Sequence, residues 1–457
     1  MKEAFADQVA QAAESNGQRY VIVSTDDHAG PRPSVHLRDY CPPQFLEAFD
    51  EECREQDRVS AEHDLQVEAA RARIAAGTGT VSDLSLDELG KCRDAKGHDD
   101  PHARLADMDG DGVAAEIIFA GGQNDTELPW VGFGWSAGPS ENDELRRTSY
   151  RMWNHWLADF CSTAPERLIG VMQIPIWNID KAIEELHWGA ERGLRVVNLH
   201  APRADYPAYT DLAYEPFWDA CEEVGAVLAT HAGAIPPFDP NTRSLSALIQ
   251  TELHYTGNRG LPQLIWGGVF ERHPKLRYVL TEQRIDFAPG MLSLMDTYYD
   301  NRVGQSQPAS QGGVISPAWP RHENGYDPVI AELPRRPSDY WHDHCFLSGS
   351  FLAPYEVGLR HEVGLGNLMW ASDYPHSEGT WPDTALSLRN TFATVPEPET
   401  RMILGENAVQ VFGLDGAKLR EVADRIGPKP EELRVPVRPE EIPLGRNFAF
   451  REQGTYA

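Results

Sequence analysis

An α/β fold, a (β/α)8 TIM barrel with a long insertion after its first strand and a Pro-rich C-terminal tail, is what this sequence predicts. Three observations carry that expectation. There are eight short apolar, β-branched runs, most are separated by helical stretches, and five of the eight end in metal-ligand-type side chains. In such barrels functional groups gather at the C-terminal strand ends, so the ends of the runs matter most.

Residues 1–19 read as a polar lead-in, 20–412 as the barrel with insertions at about 36–105 and 300–340, and 413–457 as a C-terminal extension. The first run, Tyr20-Val-Ile-Val-Ser-Thr25, leads straight into Asp26-Asp27-His28. Side chains alternate across a strand, so Asp26 and His28 share one face and Asp27 takes the other, where a structural role is expected. The insertion holds helical stretches at 43–55 and 63–76, with too little apolar content for a core of its own. Asp107-Met-Asp-Gly-Asp-Gly112 imitates the start of a calcium loop. Its twelfth position, which requires a bidentate Glu, is Ile118, inside the second apolar run at 115–120. The loop that follows carries Trp130, Phe133 and Trp135 among glycines. It is expected either to line an apolar substrate pocket, together with Trp381, or to pack on its own side chains as an Ω-loop.

From there strand and helix alternate. A helix at 143–162 precedes a strand at 168–176, and a helix at 180–192 precedes the run ending at His200. A helix at 214–224 precedes the run ending at His231, and helical stretches through Glu271 precede the run ending at Glu282. A helix at 288–299 and a Pro/Gly-rich excursion to about 340 lead to Cys345-Phe-Leu-Ser348. The last run, Leu368-Met-Trp-Ala-Ser-Asp-Tyr-Pro-His376, puts four apolar residues directly before Ser372-Asp373, and Pro375 then stops regular pairing.

With 70 acidic and 41 basic residues the chain has a net charge of −29, which excludes nucleic acid and anionic membranes as natural partners. The N-terminus lacks a signal-like apolar core, and no later run is long enough to span a bilayer. Six cysteines (Cys41, Cys53, Cys92, Cys161, Cys221 and Cys345) have no paired spacing and no CxxC motif. Reduced thiols in a cytoplasmic protein are therefore expected.

A carboxylate at the end of a buried strand is costly unless it is exposed, paired or bound to a cation. Asp26, His28, His200, His231, Glu282 and Asp373 therefore read as a metal centre, with His376 close behind. Six groups exceed the three protein ligands plus water of a catalytic zinc, and such carboxylate–imidazole mixtures also suit nonheme iron.

Asp26-x-His28, His200, His231 and Ser372-Asp373-Tyr-Pro-His376 resemble the amidohydrolase-related branch of the metal-dependent hydrolase superfamily. So does the helix-to-strand passage Phe270-Glu-Arg-His-Pro-Lys-Leu-Arg-Tyr-Val-Leu-Thr-Glu282. The resemblance covers about residues 20–412. It implies that Asp26, His28, His200 and Asp373 are metal ligands and that His231 binds metal or holds the reactive water. The chain departs from the branch in its greater length. It also has no lysine at the third or fourth strand end, where binuclear relatives bridge their metals; Gln173 and Asn198 stand there instead.

In length, ligand surplus and missing lysine the chain is similar to the barrel-fold nonheme diiron monooxygenases of diterpenoid (platensimycin/platencin) biosynthesis. The main expectation from that resemblance is an oxidoreductase of secondary metabolism. It would use two Fe ions and dioxygen to hydroxylate a bulky apolar, CoA-linked substrate, and would be a homodimer. A CoA-linked substrate would require a basic patch around Arg32 and Arg38. The alternative is a mononuclear Zn or Mn hydrolase or decarboxylase of a small carboxylated or aromatic substrate. There His231 and His376 would be catalytic, and Arg284 would orient the carboxylate.

Overall fold

The computed structural model describes residues 17–80, 92, 94–121, 127–131, 142–232, 242–301, 333–443 and 448–452. Eight strands occur at β1 (Val23–Ala29), β2 (Ala115–Ala120), β3 (Leu168–Gln173), β4 (Val196–Asn198), β5 (Val227–His231), β6 (Arg277–Thr281), β7 (Cys345–Ser350) and β8 (Leu368–Ala371). They pair in sequence order, every neighbour parallel, as a (β/α)8 barrel requires. The ring closes just past the end of β8. Asp373 N donates to Asp26 O at 2.8 Å, His28 N donates to Tyr374 O at 2.6 Å, and Ser372 N donates to Ser24 Oγ at 2.7 Å. The seam is thus built from the segments that carry the candidate ligands.

Alternation along the strands sorts two apolar clusters. Val23, Ile117, Phe119, Val171, Val227, Ala229, Val279 and Met369 form the smaller, with the helices Asn407–Phe412 and Gly416–Ile426 against it. Their neighbours Ile22, Ile118, Met172, Leu228, Leu280 and Trp370 join the larger cluster, which holds helix residues such as Trp153, Leu186, Phe217 and Leu264. His231 keeps step with Val227 and Ala229, so it shares their face.

One expectation about the insertion is corrected. The helical stretches expected at 43–55 and 63–76 are one helix of 30 residues, Leu46–Ala75. The residues between them contain neither Gly nor Pro, and Arg58 pairs with Glu55 and with Glu62 at 2.6 Å each, tying the two halves together. Only Phe49, Cys53, Val67 and Ala70 of this helix are buried, so its apolar stripe is too sparse to show as continuous. The calcium-like run is the end of a helix, Pro101–Asp111, capped by the Asp100 carboxylate and terminated by Gly112 at φ 80°. Its acids serve separate partners: Asp107 accepts from the Tyr374 hydroxyl at 2.6 Å, and Asp109 pairs with Arg167 at 2.8 Å.

The C-terminal tail packs along the barrel. Leu433, Ala449 and Phe450 are buried, Ser387 Oγ donates to the Ala449 carbonyl at 2.7 Å, and Arg451 reaches the Phe351 carbonyl at 2.7 Å and Glu356 at 2.5 Å. All six cysteines are free and buried, and no helix among the described residues is long and apolar enough to cross a membrane.

The chain leading into β1 leaves no room for a side chain at Gly405, where an added Cβ would stand 2.1 Å from the Val21 carbonyl oxygen. Gly290, exposed within the helix Phe287–Asp300, has nothing within 4 Å. Gly405→Ala is expected to lower stability by about 1–3 kcal/mol through overpacking. Gly290→Ala should raise it by about 0.5–1 kcal/mol by removing backbone entropy from the unfolded chain. Urea midpoints that move in opposite directions would bear this out; a Gly405→Ala midpoint equal to the parent's would refute it.

Candidate metal centre

β1 runs through Asp26 and His28 and, as alternation requires, brings both to one place. His231 ends β5, Glu282 follows β6, and Asp373 and His376 follow β8. Glu282 and Asp373 leave their strands in the left-handed region, at φ 55° and 61°. That conformation costs an L-residue on the order of 1 kcal/mol, so the surrounding contacts must impose it.

The hydrogen bonds fix the imidazole tautomers. His28 Nδ1 meets the Ala120 carbonyl at 3.2 Å and His231 Nδ1 meets the Ala232 carbonyl at 2.6 Å. A carbonyl only accepts, so each Nδ1 carries a proton and each ring turns its Nε2 to the interior. Those two Nε2 atoms lie 3.2 Å apart. Asp26 Oδ1 stands 3.2 Å from His231 Nε2 and 3.5 Å from His28 Nε2, while Asp373 Oδ1 stands 3.4 Å from His28 Nε2. Asp26 Oδ2 is held by the Ser350 hydroxyl at 2.5 Å, while Asp26 Oδ1 and Asp373 Oδ1 face the imidazole nitrogens of the cluster. Ligand atoms about 2.1 Å from one cation are separated by roughly 3.0–3.4 Å, which is the spacing seen here. This donor set fits a divalent ion.

Without a cation, protons must hold the cluster together. Burial pulls the His231 imidazole down, but Asp26 and Glu282 outweigh it and raise its pKa to about 9. Burial would push the Asp26 carboxyl up, yet His231 and His28 hold it well below the usual carboxylate range. Glu282 is pushed up to about 8 by burial, aided by Asp373, Asp26 and Glu378 against the pull of His231. His376 is raised despite its burial by Asp373, whose Oδ1 lies 2.9 Å from its Nδ1.

Three ligand groups result, each with its atoms within 4.8 Å of one another: Asp26–His28–His231, His28–Asp373–His376 and Glu282–Asp373–Glu378. Five of the six expected metal residues, Asp26, His28, His231, Glu282 and Asp373, therefore meet, and His376 joins them. His200 joins no such group among the described residues. β4 stops at Asn198, and the His200 Nε2 meets the Tyr150 hydroxyl at 3.2 Å while its carbonyl accepts from Tyr209 OH at 2.6 Å. Gln173 and Asn198 hydrogen-bond to each other at 2.7 Å.

Among the expected substrate contacts, Phe133 and Trp135 lie outside the described residues. Trp130 packs on Phe49 with ring centroids 6.2 Å apart. Trp381 packs on Tyr374 at 5.0 Å and lines a cavity of about 580 Å³ with Arg71, Lys96 and Asp107. Arg284 is paired with Asp286, to which Tyr355 also donates. Sequence reasoning missed the ring that does meet the cluster, Phe119, which is 5.0 Å from His231 and 6.1 Å from His28. It also missed Tyr150 and Trp177 beside His200, Ser350, and Glu378. Of these only Glu378 had a signal, an acid two residues beyond His376 in a loop already marked.

Comparison with known proteins shows the family and the fold. The family model described as Amidohydrolase matches residues 130–283 and 311–414, more than half of the chain; Asp26 and His28 precede the matched stretch. A gamma-resorcylate decarboxylase from Rhodococcus jostii (strain RHA1) is 26% identical over 58% of this chain and 76% of its own length. One from Rhizobium sp. (strain MTP-10005) is 24% identical with the same coverage. The solved 5-carboxyvanillate decarboxylase of Novosphingobium aromaticivorans, complexed with manganese, superposes with a TM-score of 0.55 at 17% identity, covering 88% of this chain and 99% of that one. The 2,6-dihydroxybenzoate decarboxylase from Rhizobium gives 0.51 at 17% identity over 87% and 100%. The two structures share the fold, and the family match extends from the loop after β2 to just past the helix Asn407–Phe412. The chain belongs to the amidohydrolase family.

Proposed function

We propose that the chain is a metal-dependent decarboxylase of a small hydroxylated aromatic carboxylic acid, using manganese or zinc. The observation that carries this reading is the pair of Nε2 atoms of His28 and His231, 3.2 Å apart and framed by Asp26 and Asp373. The relatives support the substrate class, since their names are decarboxylases of gamma-resorcylate, 5-carboxyvanillate and 2,6-dihydroxybenzoate, and the 5-carboxyvanillate enzyme was solved with manganese. When bound, the cation supplies a Lewis acid that polarises a substrate oxygen.

The chain's own residues supply the rest. Exchanging an aryl carboxyl group for hydrogen releases carbon dioxide and needs one proton at the ring carbon. Glu282 and His376, both raised above their ordinary pKa in the cation-free cluster, lie beside the nitrogens that would hold the ion and are the groups that could keep that proton. Phe119 offers an apolar ring beside His231, against which a flat aromatic ring can pack. A substrate carboxylate would have to compete with Asp286 for Arg284.

The second reading, a diiron monooxygenase of a bulky apolar substrate, draws on one specific observation. Asp373 belongs to two ligand groups at once, and the second, Glu282–Asp373–Glu378, is wholly carboxylate. Its CoA-linked form fares less well, because Arg38 is already held by Asp50 through two hydrogen bonds of 2.8 and 2.9 Å.

Metal analysis of protein purified without added metal, coupled to carbon dioxide release from a panel of hydroxybenzoates, separates the readings. About one manganese or zinc per chain with release of carbon dioxide is expected; near two irons per chain and no release would favour the oxygenase. Asp373→Asn should lose metal and at least 100-fold of the activity, as removal of a direct ligand demands; retention of both would sink the assignment. A pH prediction follows from the raised proton affinities of His231 and Glu282. Each contribution is complete below the unfolded value, 6.5 or 4.5, and is lost as pH rises through about 9 or about 8. The melting temperature of chelator-treated protein should therefore fall between pH 6.5 and 9. Manganese should flatten that slope by displacing the protons, and a metal-free melting temperature that rises across the interval would contradict the scheme.

A further inference from the structure

Behind the candidate ligands lies a buried cation that the proposed chemistry does not use. Arg104 comes from the helix Pro101–Asp111, within the part of the chain that precedes the family match. It is fully buried, and so is its partner Glu116 on β2, whose carboxylate accepts from Arg104 Nε at 2.5 Å. Its Nη1 donates to the main-chain carbonyl of His28 at 2.6 Å and, more weakly, to that of Gly97 at 3.3 Å. Its guanidinium plane lies over the ring of Tyr374, 4.0 Å from the centroid. His28 is a candidate ligand and Tyr374 is the residue after another, Asp373. One side chain therefore grips both halves of the barrel seam.

Tyr374 is itself fixed at every polar group. Its N–H donates to Asp27 Oδ1 at 2.9 Å, its carbonyl accepts from His28 N at 2.6 Å, and its hydroxyl donates to Asp107 at 2.6 Å. The packing around it is close: a Cβ at Gly97 would fall 2.2 Å from the Tyr374 hydroxyl oxygen.

We infer that Arg104 is a positioning residue for the metal site, setting the separation of His28 and Asp373 through the His28 carbonyl and the Tyr374 ring. The inference rests on the metal-binding reading above, although not on the reaction. Two effects of an arginine near a cation oppose each other. Its positive charge would weaken metal binding, whereas its rigid fork holds the ligand strand in place. Glu116, in direct contact, cancels most of the charge, so geometry outweighs field. Lysine keeps the charge but loses the planar fork and its stacking, and therefore distinguishes the two.

The test is manganese affinity, read from the paramagnetic resonance signal of free Mn2+ during titration of the full chain, with no substrate present. Arg104→Lys should bind manganese about tenfold or more weakly than the parent, within the range for groups that orient metal ligands. The double variant Arg104→Met/Glu116→Gln, which removes both charges and strands neither, should weaken binding by a similar factor and broaden the bound-manganese spectrum. Parent-like affinity in either folded variant, or tighter binding in the double variant, would overturn the inference. So would failure of both variants to fold, because the contact would then serve the whole fold and not the ligands. A parent chain that binds no manganese would instead bring down the metal reading itself.

Discussion

The Nε2 atoms of His28 and His231 face each other at 3.2 Å, and when both rings are neutral neither carries a proton to donate to the other. Around that point the structure adds carboxylates: Asp26 and Asp373 fully buried, with Glu282 and Glu378 partly so. Such an arrangement is unfavourable in a low-dielectric interior until positive charge enters it. The barrel imposes it anyway, because the strand pairing that closes β8 onto β1 uses the backbone of Asp26, His28, Asp373 and Tyr374. Fold closure and ligand convergence are a single event. The seam cannot form without bringing the charges together, and the charges are compatible with the seam only when compensated.

Compensation can come from protons or from metal. The proton affinities of His231, Glu282 and His376 are all raised, so the metal-free cluster takes up hydrogen ions where a divalent ion would otherwise sit. Of these, Glu282 and His376, which lie beside the nitrogens that would hold the ion, could supply a proton for breaking an aryl–carboxyl bond. Electrostatics that make the centre avid for a cation thus also make it a store of protons, and the balance between the two depends on pH. Four carboxylates are more than one divalent ion neutralises. That excess is why the dinuclear reading keeps a physical basis even though the relatives are decarboxylases.

The barrel was legible because its strands are β-branched runs ending in polar ligand types, a pattern that survives without knowledge of packing. Asp26 and His28 followed from alternation along β1, and Glu282 and Asp373 from their place at run ends. Local pattern could not decide what depends on distant partners. His200 looked equivalent to His231, but the strand before it stops at Asn198 and Tyr150, fifty residues earlier in the chain, meets its ring nitrogen. Arg284 looked available until Asp286 was seen beside it. Phe119 was invisible as a site residue because an inward-facing aromatic within an apolar strand reads only as core.

Arg104 shows the same limit from the other side. In the sequence Arg104 is one more basic residue of the polar insertion at about 36–105, and nothing in its spacing marks it. The structure buries it completely because two long-range partners, Glu116 and the Tyr374 ring, repay its desolvation, one by charge and the other by stacking. A cation is seldom placed so near a metal site, where its field opposes the metal. It is tolerable here because Glu116 screens it and because the guanidinium donates to a main-chain carbonyl and an acid while stacking on the Tyr374 ring. The helix that carries Arg104, although it lies outside the barrel sheet, is on this argument part of the apparatus that sets the distance between the first and last strands.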